Sequence, residues 1–103
     1  MHIGVQRSTI TFDQCFKHKG LGRFFRTGDL RGIQAQHAPR LERLLDALDG
    51  VAEVEELNVP GWFLHRLKGD LKNLWSVRVS GNWRLTFVFQ DGDAEIVNLE
   101  DYH

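Results

Sequence analysis

The two stretches that flank Gly81 constrain the fold more than any other part of the chain. In residues 74–80, Trp75, Val77 and Val79 alternate with Leu74, Ser76, Arg78 and Ser80. In residues 82–90, Trp83, Leu85, Phe87 and Phe89 alternate with Asn82, Arg84, Thr86 and Val88. Period-two alternation marks strands with one apolar and one polar face. A slip of one residue in their pairing would send an entire row to the wrong face. The apolar rows therefore match only if the hairpin loop around Gly81 has an odd number of residues. Pairs centred on Gly81 set Val79 opposite Trp83, Val77 opposite Leu85 and Trp75 opposite Phe87. The same register sets Arg78 directly opposite Arg84 on the other face.

Two like charges directly opposed on a sheet repel each other. One resolution is an external anion such as phosphate, which suits the planar guanidinium fork. The other is neutralisation by nearby acids such as Glu100 or Asp101. The pattern by itself leaves both open.

The remaining elements build an α+β domain around that hairpin. Ile10–Phe16 alternates as a short first strand, and Lys17–Thr27 carries Leu21, Phe24 and Phe25 at helical spacing before the stop at Gly28. Gly20 and Gly22 make this first helix intrinsically poor, so packing of the two phenylalanines is expected to hold it. Ala38, Leu41, Leu44, Leu45 and Leu48 form an apolar helical stripe that ends at Gly50, with Pro39 in the first turn, where its missing N–H costs little. Val51–Val59 is acidic and has room for one short turn. Trp62–Leu67 and Ala94–Leu99 read as further strands, with turns at Lys68-Gly69-Asp70 and Asp91-Gly92-Asp93. The expected architecture is a short first strand, two helices, then a twisted antiparallel sheet with both helices on one face. Its expected core holds Leu21, Phe24, Leu41, Leu45, Leu48, Trp75, Val77, Leu85 and Phe87.

At 103 residues with 42% hydrophobic content, the chain has the size and apolar mass for one folded domain and no more. It has no apolar run of the roughly 20 residues needed to span a bilayer and no secretory signal pattern. Its single cysteine, Cys15, excludes an internal disulfide framework and a Cys-rich zinc site. The five histidines are scattered, so no metal or other cofactor is expected. A reducing compartment, the cytoplasm, is the simplest home. Nucleotide-binding glycine loops and the nucleophile elbow of the hydrolases are absent as well.

A net charge of −1 argues against generic nucleic-acid binding, but the charge is segregated. Residues 16–45 carry +5, 46–60 carry −5, 61–84 carry +4 and 85–103 carry −5. On the polar side this leaves a constellation of His65, Lys68, Arg78, Arg84 and the closing Asp101-Tyr102-His103, with Arg66 and Lys72 as further cations. Such a set offers charge for a phosphate and groups able to move protons. It suits metal-free cleavage of RNA, where the 2′-hydroxyl is an internal nucleophile. Trp62 is a candidate for stacking on a base, whereas Trp75 and Trp83 lie on the core row.

These residues resemble a known family. The resemblance runs through Phe16-Lys17-His18-Lys19-Gly20-Leu21 and Ala35-Gln36-His37-Ala38. It is strongest at Leu64-His65-Arg66-Leu67-Lys68-Gly69-Asp70, Trp75-Ser76-Val77-Arg78-Val79, Asn82-Trp83-Arg84-Leu85-Thr86-Phe87 and Glu100-Asp101-Tyr102-His103. The family is the HigB branch of the RelE superfamily, toxins of type II toxin–antitoxin systems. The resemblance covers about residues 12–103 and marks residues 1–11 as a loose extension of a single RelE-like domain. It implies a ribosome-dependent mRNA endonuclease that enters the ribosomal A site and stops translation. It also implies metal-independent 2′-hydroxyl attack, leaving a 2′,3′-cyclic phosphate. The implied partner is a HigA-type helix-turn-helix antitoxin, through which alone operator DNA would be reached. Carried across residue by residue, Arg84 would stabilise the phosphate in the transition state, and Arg78 and Lys68 would position the backbone. His103 and Tyr102 would share proton transfer, and His65, Asp101, Lys72 and Arg66 would support RNA binding. A different class stays open beside this one: a non-catalytic protein of the same fold, either a gyrase-poison-like toxin or a degenerate toxin acting only in a repressor complex.

Overall fold

The computed structural model describes residues 16–68, 73–90 and 93–101. Two helices, α1 (Lys19–Thr27) and α2 (Ala38–Gly50), precede four strands: β1 (His65–Arg66), β2 (Leu74–Ser80), β3 (Trp83–Gln90) and β4 (Asp93–Asp101). The strands form one antiparallel sheet in the order β1-β2-β3-β4. Phe16 makes a parallel bridge to Val97 on the far edge, and the Lys17 N–H donates to the Val97 carbonyl at 2.8 Å. The rest of the first strand, the turns at Gly69-Asp70 and Asp91-Gly92, and the extension 1–11 lie outside the described residues. Among the described residues, no helix is long and apolar enough to cross a membrane.

Local chemistry sets the ends of α1. The His18 Nδ1 accepts the Leu21 N–H at 3.0 Å, and Gly28, at φ 77°, donates its N–H to the Phe24 carbonyl at 2.8 Å. The buried face of this helix is Gly20-Leu21-Gly22, while Phe24 and Phe25 are only half-buried against the core. The glycines are there for close approach. A Cβ on Gly20 would sit 3.1 Å from the Gly32 carbonyl oxygen, and one on Gly22 would sit 3.3 Å from the Phe16 side chain. Helix propensity is given up so that neighbouring backbone and Phe16 can lie against the helix.

In α2, Leu41, Leu44, Leu45 and Leu48 are buried, and Pro39 occupies the first turn as its ring geometry favours. The acidic stretch that follows contains a 3-10 turn, Val54–Leu57, whose Glu56 carboxylate accepts the backbone N–H of Glu53 at 3.1 Å. Both helices share a core with the apolar rows of the sheet, including Val77, Leu85, Phe87 and Val97. Phe24 and Trp75 pack at its margin, partly exposed.

Trp75 opposes Phe87, Val77 opposes Leu85 and Arg78 opposes Arg84, as the parity of the alternation requires. The turn differs from expectation. Trp83 pairs with Ser80 rather than Val79, and the register shifts between Arg78 and Ser80. The tight turn at Gly81, φ 56°, leaves an even count between the last paired residues, and a bulge at Val79 supplies the odd residue. A second shift lies between Thr86 and Val88 on β3, opposite the β4 segment that contains Ile96 at φ 53°.

The strand expected over Trp62–Leu67 is cut to two residues. Trp62 closes a turn by donating its N–H to the Val59 carbonyl at 2.9 Å, and Phe63 is left-handed at φ 51°. Trp62 is buried in the core at 7% exposure, so it offers no face for stacking. Its carbonyl accepts the Arg78 N–H at 2.7 Å, which docks this segment onto β2.

Candidate active site on the helix-free face

Sheet register decides which side chains share the face away from the helices. One row runs Arg78–Arg84–Glu100 across β2, β3 and β4; the next runs His65–Ser76–Thr86–Asn98 across all four strands. Alternate residues of a strand share a face, so the two rows lie on one surface. Val88 is buried on this side and stands apart from the main core, which marks the face as partly covered.

Arg84 is held at two of its nitrogens. Nε donates to the Ser76 Oγ at 2.7 Å, and Nη2 donates to the Phe63 carbonyl at 2.7 Å. Ser76 is fully buried, so its hydroxyl is a fixed acceptor rather than a solvated rotor. Two such bonds to a planar fork remove most of its rotational freedom before any substrate arrives.

Arg78 is exposed, and its guanidinium lies 5.4 Å from the centroid of the Phe63 ring. A cation–π contact at an exposed site contributes about 0.5–1 kcal/mol. Like charges directly opposed across a sheet are destabilising, and this contact offsets part of that cost. Phe63 thus eases the repulsion on the Arg78 side of the pair. The Arg78 backbone is fixed too. Its carbonyl accepts Arg40 Nε and Nη2 at 3.3 Å each, while the same Nη2 donates to the Gly61 carbonyl at 2.7 Å. A cation on α2 therefore ties the segment before β1 to the strand that carries Arg78.

Glu100 is the cross-strand neighbour of Arg84, as the neutralisation alternative supposes. Its Oε2 accepts the Thr86 hydroxyl at 2.8 Å. Asp101 opposes Trp83 and so belongs to the other row. Among the described residues, Arg78 is in no ion pair.

Phe63, Leu64, His65, Leu67 and Arg84 line a cavity of about 390 Å³ on this face. His65 is exposed and sits opposite Ser76. A slightly larger cavity, about 440 Å³, lies between the helices and is lined by Phe24, Phe25, Pro39, Glu42 and Asp46 among others. It contains none of the candidate residues, and its carboxylates would repel a phosphate.

The remaining candidates divide. Lys68 is exposed two residues beyond β1. Arg66 pairs with Trp75 and sets its guanidinium 5.9 Å from that ring, so it belongs to the opposite face from the arginine pair. Lys72, Tyr102 and His103 lie outside the described residues. Among the described residues, no group of three or more His, Cys, Asp or Glu side chains could hold a metal ion.

Sequence reasoning passed over Ser76, Phe63, Thr86 and Arg40. Ser76 and Thr86 were readable as members of the polar rows. Nothing in the pattern signals that the Phe63 carbonyl would fold back onto Arg84.

A family model described as the RelE-like toxin of the type II toxin–antitoxin system HigB matches residues 14–103. "Endoribonuclease HigB" of Proteus vulgaris is 49% identical over 88 residues, covering 85% of this chain and 96% of that protein.

Proposed function

Because the chain belongs to the HigB-like family of RelE-like toxins of type II toxin–antitoxin systems, which implies an antitoxin partner, we propose that it is an endoribonuclease that cleaves mRNA on the ribosome and so stops translation. The observation that carries this reading is the opposed pair Arg78 and Arg84, with Arg84 tethered to Ser76 and Phe63 beside the cavity. A face that needed only to be wet has no use for two facing cations, one of them locked in place.

The chemistry follows from what the residues can do. The 2′-oxygen of the scissile nucleotide attacks the adjacent phosphorus and forms the new P–O bond. The bond from phosphorus to the 5′-oxygen of the next nucleotide breaks, leaving a 2′,3′-cyclic phosphate and a 5′-hydroxyl. Negative charge grows on the non-bridging oxygens in between. Arg84 is the fixed donor for that charge, and an oriented donor of this kind is worth about 10²–10³ in rate. Arg78 and Lys68 hold the flanking backbone. Tyr102 and His103 take the 2′ proton and deliver one to the leaving oxygen, a contribution of about 10²–10⁴. His65 and Lys72 support the bound RNA, whereas Arg66 and Asp101, on the rows of the opposite face, are not assigned to it. No metal is required, because every charge and proton in these steps has a side chain to serve it.

The net charge of −1 gives little non-specific attraction to RNA. That favours a substrate presented by the ribosomal A site over one captured from solution. The antitoxin in this reading is of HigA type, with a helix-turn-helix, and operator DNA is reached only through it. The cytoplasm is where such a protein acts.

Purified protein and Arg84→Ala, each incubated with programmed ribosomes and with the same mRNA free in solution, test the proposal. Wild type should cleave ribosome-bound mRNA in the presence of EDTA and leave free mRNA largely intact, and Arg84→Ala should lose at least 100-fold (on the order of one oriented donor). A fully active Arg84→Ala refutes the assignment of that residue. Equal cleavage of free and bound mRNA refutes ribosome dependence.

A further inference from the structure

Phe63 is out of place as a hydrophobic side chain. It is 57% exposed, and its backbone sits at φ 51°, a region that bulky residues rarely occupy. Strained positions of this kind persist where the surroundings over-determine them, and they gather at binding sites. Here the surroundings are the two arginines. The Phe63 carbonyl takes Arg84 Nη2, its ring lies under Arg78, and the side chain lines the cavity with Arg84 and His65. The left-handed turn allows one residue to present its carbonyl to one cation and its ring to the other.

We propose that the Phe63 ring is the platform on which the base next to the scissile phosphate stacks. This rests on the endonuclease reading above. A phosphate held between Arg78 and Arg84 brings the sugar and base attached to it alongside the ring. Single-stranded RNA is bound in this way elsewhere, with splayed bases lying on aromatic side chains or guanidinium planes. A ring that offers only a π-face holds any base, so Phe63 contributes affinity and alignment with little choice of base. The cavity beside the ring also holds Leu64 and Leu67, but the Arg78 and Arg84 guanidinium groups next to it favour an anionic occupant such as RNA.

The test uses the full chain and ribosome-bound mRNA. KM and kcat are compared for wild type, Phe63→Leu and Phe63→Trp, with thermal melts to confirm folding. Phe63→Leu keeps apolar bulk without a π-face and should raise KM about tenfold, the scale of one lost base stack, with the loss falling on KM rather than kcat. Phe63→Trp should restore KM. In parallel, mRNA carrying 5-iodouridine beside a 2′-deoxy scissile nucleotide is irradiated on the ribosome with wild type, and the crosslinked peptide is mapped. A crosslink at residue 63 supports the platform. Unchanged KM in Phe63→Leu, or a crosslink elsewhere, overturns it. If Phe63→Leu instead weakens only the complex with the antitoxin, the ring belongs to the protein interface and the proposal falls. A wild type that cleaves no mRNA at all overturns the endonuclease reading, a result distinct from any of these.

Discussion

The hydrogen bond from Arg84 Nε to the Ser76 hydroxyl at 2.7 Å supplies the sharpest prediction. Ser76→Ala deletes one oxygen from a fully buried position and removes the acceptor of Arg84 Nε, while the bond from Nη2 to the Phe63 carbonyl stays. A hydrogen bond to a charged group contributes about 1.5–3 kcal/mol. If that orienting energy is felt at the transition state, kcat falls by about 10- to 100-fold, since each 1.36 kcal/mol is a factor of ten. KM should move less than threefold, because the charge on Arg84 remains. Stability should fall by about 1–3 kcal/mol, because the Arg84 donor loses its buried acceptor. Ser76→Cys separates the two effects: it fills the space but is a poor acceptor, so it should be as slow as Ser76→Ala. Single-turnover cleavage of ribosome-bound mRNA, with urea unfolding of each variant, gives both numbers. A Ser76→Ala enzyme as fast as wild type would show that Arg84 needs no orientation from the sheet, and the reasoning from pre-organisation would be wrong.

Gly20→Ala should destabilise the fold although alanine is the better helix former by about 1 kcal/mol, because its Cβ would meet the Gly32 backbone at 3.1–3.2 Å; a raised melting temperature would contradict the close-approach account. Deleting His103 should cut mRNA cleavage sharply and leave antitoxin binding intact, as pull-down and cleavage assays on one preparation would show. The carboxyl of Asp29 is lowered from 3.8 to about 2, first by the hydrogen bond from the Arg31 side chain and then by that from its backbone N–H. A depressed carboxylate stabilises the folded state above its unfolded value, and that contribution is lost as pH falls from about 4 towards 2. An NMR titration should place the Asp29 midpoint near 2 in wild type and nearer 3.8 in Arg31→Ala; identical midpoints would sink the assignment.

The segregated charge of the chain resolves into geometry only in part. The positive block 61–84 contributes Arg78 and Arg84 to one face, yet Arg66, from the same block, stands over Trp75 on the other. Neighbours in sequence share a sign without sharing a surface, because a strand sends successive side chains to opposite faces. Net charge by block is therefore a guide to which residues to place, and register is what places them.

Sequence alone determined the pairing of β2 with β3, the leucine face of α2 and the meeting of Arg78 with Arg84. These are local periodicities, and one buried face excludes any register that slips by a single residue. It determined Gly28 as the end of α1 for a similarly local reason, since the left-handed cap favours glycine. The tertiary structure decided what periodicity does not encode. The bulge at Val79 supplies the odd residue of the hairpin. Gly20 and Gly22 are sites of close approach rather than weak points. Trp62 is core, and Phe63 turns its backbone against Arg84 and its ring under Arg78. Each of these depends on segments brought together from distant parts of the chain, such as Gly32 against Gly20 or Arg40 against Gly61 and Arg78. The cations of the site were therefore legible in the sequence, and the contacts that orient them were not.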